Sequence, residues 1–130
     1  MEMIMRSDFR RISLTVLAVA AFSGSALAGF QTGQQVVISD EQKQANGDVG
    51  YVHNTPDDVQ YIGCLTAGDE GYCFARRWDG VVRSCWSNDP KWVTAMAAVS
   101  SDSHLQFYWD AAGYCVGMTV RNESVTAPKN

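Results

Sequence analysis

Three arginines and a tryptophan fall within eight residues of this chain: Arg76, Arg77, Trp78 and Arg83, around an Asp79-Gly80 pair. Guanidinium groups bind carboxylates or phosphates through paired hydrogen bonds and stack on aromatic rings. Arg and Trp are also over-represented where proteins grip their partners. Asp-Gly between two strand-like runs signals a hairpin, because both central residues of its tightest turn need positive φ. The four residues are therefore expected around a hairpin tip, as a candidate binding site. A Trp folded back over the sheet and covered by an arginine stem is the competing arrangement.

Other residues could do chemistry, but their spacing argues against it. His53 and His104 are the only histidines, and Ser103 precedes His104. A Ser-His-Asp hydrolase needs the three groups to converge, whereas neighbours on a strand point to opposite faces. No Gly-x-Ser-x-Gly elbow is present. A ribonuclease would draw a base, an acid and a phosphate-binding cation from Glu70, His53 or His104, and Arg76, Arg77 or Arg83. Glu70 falls in an expected turn rather than on a strand. Asp57-Asp58 and Asp69-Glu70 lack the alternating spacing of a calcium loop. No catalytic residue, metal site or cofactor is expected.

The chain of 130 residues carries a formal net charge of −4. Arg6, Arg10 and Arg11 precede an apolar run from Ile12 to Phe22, which leads into Ala26-Leu27-Ala28. That order is the pattern of a secretory signal, and the run is too short to span a bilayer. Residues 1–28 are expected to be cleaved, leaving a protein secreted to the periplasm or medium with no transmembrane segment. The remaining 102 residues hold seven basic and twelve acidic side chains, a net charge of −5. Such a surface disfavours nucleic acid as a bound scaffold.

Four cysteines, Cys64, Cys73, Cys85 and Cys115, lie beyond the signal. An even number in an exported chain implies two disulfides, and the absence of close Cys pairs argues against zinc. A two-residue Asp-Gly loop would put Cys73 and Cys85 on opposite faces of their hairpin, giving Cys64–Cys73 with Cys85–Cys115. A three-residue loop would set Cys73 against Cys85, giving Cys73–Cys85 with Cys64–Cys115.

Residues 29–49 are Gln- and Gly-rich, and are expected as a flexible N-terminal arm with at most one edge strand near 35–38. One disulfide-stapled domain should fill 50–124, with a polar tail over 125–130. Strand-like runs at 51–53, 59–64, 72–77 and 81–86 alternate with turn residues. Asp89 and Pro90 open a helix expected over about 90–100. Alternating apolar residues at 105–109 and 114–120 form a last hairpin. The expected fold is α+β, an antiparallel meander plus C-terminal hairpin with one packed helix.

Tyr61-Ile62-Gly63-Cys64, the Cys73 to Cys85 hairpin, Asp89-Pro90, and Ser103-x-Leu105-x-Phe107-x-Trp109-Asp110-x-x-Gly113-x-Cys115 form an ordered set. It resembles a family of small secreted bacterial proteins to which no activity is attached. The resemblance implies export and one compact domain. The expected function is a secreted binding module, not an enzyme, for a protein or glycan partner, with the cell envelope among the candidates. An inhibitor of a secreted enzyme, using the loop Thr66–Gly71, and a small hydrolase such as a ribonuclease are the alternatives.

Overall fold

A computed structural model describes residues 33–126. The expected signal, residues 29–32 of the arm and residues 127–130 lie outside the described residues. The antiparallel α+β class holds, but the strands divide into two sheets. One is a meander of three strands, β3 (Tyr61–Ala67), β4 (Glu70–Arg76) and β5 (Val82–Ser87). The other has four strands in the order β1 (Val37–Ser39), β2 (Gln44–Asp48), β6 (Ser103–Trp109) and β7 (Cys115–Asn122).

The two inner strands of the second sheet explain its stability. Leu105 and Phe107 on β6 are fully buried, opposite Gly47 and Ala45 on β2. Each large side chain removed from water in this way stabilises the fold by roughly 1.5–3 kcal/mol. Residues 33–48 fall in the segment 29–49 that the sequence suggests as an arm. They instead supply β1 and β2, because Ala45 and Ile38 reach the shared core. The tail is likewise shorter than expected, since Thr126 is buried and donates to the Asp102 carbonyl at 2.6 Å.

Tyr51–His53, expected as a strand, belong to a single helical turn, α1 (Val49–His53). Asn54 Nδ2 donates to the Gly50 carbonyl and Thr55 Oγ1 to the Val52 carbonyl, at 2.9 and 2.8 Å. These side chains satisfy carbonyls left open at a helix end, so the turn closes with no partner strand. The expected helix is α2 (Pro90–Ala97), with Asp89 accepting from Lys91 N at 3.0 Å as its cap. It stops three residues early because Ser103 Oγ accepts from Ser100 N at 2.9 Å, which diverts the chain into β6.

α2 packs against β3, β4 and β7 and closes the core between the inner faces of both sheets. Its Met96 sits over Gly71, where a Cβ would lie 2.4 Å from the sulfur. Among the described residues no helix is long and apolar enough to cross a membrane.

The disulfides are Cys64–Cys73 and Cys85–Cys115. The pairing is the first expected one, yet the register is that of the alternative. Trp78-Asp79-Gly80 is a three-residue loop with Gly80 at φ +86°, and Arg77 N donates to the Val81 carbonyl. Cys73 therefore opposes Cys85 directly, as Cys64 opposes Cys73. Strand spacing decides the outcome. Tyr114 runs beside Trp86, so Cys115 lies beyond β5 and Cys64 on β3. They are separated by about three strand spacings, roughly 14 Å, and a disulfide cannot bridge that distance.

Candidate functional site

The hairpin side chains do not form one patch. Arg76 pairs with Val82, and Arg83 pairs with Ala75 in the adjacent row, so the two arginines leave opposite faces of the sheet. Arg83 clamps Asp40 at 2.6 and 2.7 Å, and that hydrogen-bonded pair holds the Asp40 carboxyl below its ordinary pKa. Arg77 clamps Asp79 inside its own loop at 2.9 and 2.8 Å, again lowering the carboxyl's pKa through the hydrogen bond. Two of the three guanidiniums thus already have carboxylates. Trp78 is 66% exposed at the tip rather than folded back. Arg76 is exposed and makes no ion pair with another described residue.

The outer face of the three-stranded sheet carries a different constellation. Period-two alternation sends Ile62, Cys73, Ala75 and Cys85 inward. The same alternation sends Tyr61, Leu65, Tyr72, Phe74, Arg76 and Trp86 outward. Leu65, Tyr72 and Trp86 form one straight row across β3, β4 and β5, and Tyr114 extends it through its bridge to Trp86. Tyr72 and Phe74 are near-parallel with ring centroids 6.1 Å apart, and Trp86 tilts against Tyr114 at 5.5 Å. Two ring pairs, Phe74–Tyr72 and Trp86–Tyr114, therefore lie along one ribbon of this face, related by the cross-strand pairing of Tyr72 with Trp86. Tyr61 lies over Gly63, with its hydroxyl 3.0 Å from where a Cβ would stand, so a side chain there would push the ring aside.

The ribbon is held from below and from the side. Cys64–Cys73 ties β3 to β4, and Cys85–Cys115 joins the residues adjacent to Trp86 and Tyr114. Trp86 N donates to the Gly113 carbonyl at 3.0 Å. The indole Nε1 donates to Glu70 at 3.1 Å, which fixes the ring's rotation. Tyr61 and Tyr114 remain 53% and 50% exposed at the two ends. The hydroxyls of Tyr61, Tyr72, Tyr114 and Ser84 hydrogen-bond to no other described residue.

The outer face of the four-stranded sheet is built in the opposite way. There Gln106 donates to Gln44 at 2.7 Å, Gln34 donates to Asn46, and Asp48 pairs with His104 at 2.7 Å. That face is a satisfied polar lattice, whereas the aromatic face has rings and unused hydroxyls.

The catalytic alternatives are not assembled. Asp48 and His104 supply the acid–imidazole half of a triad, but Ser103 points to the other face and bonds Asn122. Glu70 is engaged by Trp86 at one end of β4, and Arg76 stands about 20 Å away at the other. His53 lines a small cleft with Asp57, Asp58 and Tyr61. Asp57 is committed there to the backbone of Gln60 and Val59, and the Gln60 amide bond lowers its pKa to about 2. Among the described residues no three His, Cys, Asp or Glu side chains converge as metal ligands. The proposed inhibitory loop is reduced to a two-residue turn, Gly68-Asp69, between β3 and β4.

Sequence reasoning missed this face because it read β4 for its arginines. The signal was present in the spacing Tyr72-x-Phe74 and in the register that brings Trp86 beside Tyr72. Searches against protein-family models, curated proteins and solved structures found no match to this chain.

Proposed function

We propose that this chain is a small exported binding module whose contact surface is the outer aromatic face of the three-stranded sheet. The observation that carries the reading is the ring ribbon Phe74, Tyr72, Trp86 and Tyr114, continued to Tyr61. Tyr and Trp combine large apolar area with a polar tip and lose little rotamer freedom on contact. A solvent-facing cluster of them rimmed by polar groups marks an interaction surface. Export is supported by the signal pattern at residues 1–28 and by two disulfides, which persist in oxidising compartments. The arginine hairpin is a weaker candidate, since Arg77 and Arg83 would have to break internal ion pairs to bind.

Co-sedimentation tests the reading. The oxidised protein, residues 29–130, is mixed with insoluble envelope material of the source organism and spun. The same is done with the variants Tyr72→Ala/Tyr114→Ala and Trp78→Ala, after circular dichroism has shown that all fold. Loss of roughly tenfold or more in the retained fraction is expected for the double variant, as for two interface anchors, and none for Trp78→Ala. Equal retention of all three proteins, or retention of none, would overturn the reading.

A further inference from the structure

The ligand class follows from the charge and shape of the aromatic face. We infer that it accepts an uncharged glycan chain, lying across the sheet from Tyr61 towards Tyr114; this rests on the binding-module reading above.

Three observations select that occupant. The first is charge. Its strands carry one carboxylate, Glu70, already engaged by the Trp86 indole, and one guanidinium, Arg76, and Asp58 adds a second carboxylate at the Tyr61 end. A polyanion would meet a single uncommitted cation on a domain of net charge −5. Nucleic acids and acidic polysaccharides are therefore poor fits, and a neutral ligand faces no such barrier.

The second is chemistry. A pyranose presents axial C–H bonds on one face and hydroxyls around its rim. The positively polarised C–H bonds are attracted to the negative face of an aromatic ring. The rim needs donors and acceptors. The hydroxyls of Tyr61, Tyr72, Tyr114 and Ser84 supply both, and none hydrogen-bonds to another described residue. The surface lacks methionine, the adaptable residue of protein-docking grooves.

The third is shape. The rings lie on the open outer face of a sheet, not in the concave pocket that encloses a small molecule. At its Tyr61 end the face opens into a shallow hollow lined by Asp58, Phe74, Arg76 and Val82. From Tyr61 to Tyr114 the face spans four residues along the strands and three strand spacings across them, about 20 Å corner to corner. An extended chain can touch rings along that whole diagonal. The disulfides beneath hold the rings in place before contact, which lowers the ordering cost of binding a flexible polymer.

The test is an amide chemical-shift titration of the oxidised protein, residues 29–130. The probes are three neutral hexasaccharides (cellohexaose, chitohexaose and maltohexaose), an oligogalacturonate of the same length, and a hexanucleotide RNA. At least one neutral probe should saturate shifts confined to Tyr61, Leu65, Tyr72, Trp86 and Tyr114. Tyr72→Ala and Tyr114→Ala should each weaken that probe by roughly tenfold, and Trp78→Ala should leave it unchanged. Failure of all three neutral probes, or binding of the oligogalacturonate or RNA at least as tightly, overturns the glycan assignment. If shifts at the same residues appear only as protein concentration rises, the occupant is a second copy; the glycan fails and the face survives as a contact surface. If envelope retention also ignores Tyr72→Ala/Tyr114→Ala, the binding-module reading fails with it.

Discussion

Replacing Cys85 and Cys115 together by alanine will destabilise the domain more than replacing Cys64 and Cys73. The first pair closes 30 residues and the second nine. Constraint of the unfolded chain alone is then worth about 3.6 kcal/mol for the longer loop and about 2.6 kcal/mol for the shorter. Structure adds to the difference. Cys64–Cys73 links two strands that already share a full ladder, whereas Cys85–Cys115 joins the three-stranded sheet to the first residue of β7 in the four-stranded one. Both of its cysteines are buried. Urea unfolding of the two double variants measures the order, and equal midpoints would contradict it. Because Trp86 and Tyr114 adjoin Cys85 and Cys115, the longer-loop variant should also lose ligand retention under conditions where it remains folded.

Asp48→Ala should cost about 2–4 kcal/mol, the largest effect expected from a single polar substitution. Asp48 is completely buried. Its carboxylate accepts from Gln34 N at 2.8 Å and from His104 Nδ1 at 2.7 Å, and its own N–H donates to the Gln34 carbonyl. Alanine would leave two donors without their acceptor in a site closed to water, each worth roughly 1–3 kcal/mol. Asn, which keeps one carbonyl oxygen, should cost less. Urea unfolding reads the loss. Hydrogen exchange at the Gln34 amide should accelerate in Asp48→Ala before global unfolding. Unchanged protection there would show that the carboxylate does not hold the segment.

Local chemistry made part of this molecule legible. Asp89-Pro90 announced α2, the alternation from Leu105 to Val120 announced the last hairpin, and the even cysteine count announced two bridges. The bridge pairing came out as expected although its supporting register did not. Gly80 in the left-handed region adds a residue to the loop that Asp-Gly alone does not reveal.

The division into two sheets was hidden because β2 reads Gln-Ala-Asn-Gly-Asp, residues of low strand propensity. Its tertiary neighbours make that segment extended: β1 pairs along one edge and β6 along the other, with Phe107 and Leu105 facing the same core as Ala45. The aromatic face was hidden for a subtler reason. Both faces of β4 are apolar, Tyr72 and Phe74 on one and Cys73 and Ala75 on the other. Size would ordinarily send the rings inward. Here Met96 fills the space over Gly71 and the disulfides occupy the inner row. The small residues fit inside and the rings face out. The arginine hairpin drew attention in the sequence because residue type shows there, while the ion pairs that occupy Arg77 and Arg83 depend on Asp40, 43 positions from Arg83, and on the turn at Asp79.

Hydroxyl-radical footprinting of the oxidised protein, free and on envelope material, tests the contact surface most directly. Tyr61, Trp86 and Tyr114 should be protected in the bound sample, with Trp78 labelled equally in both. Protection of Trp78 while those three rings stay open would contradict the account and place the site at the hairpin tip.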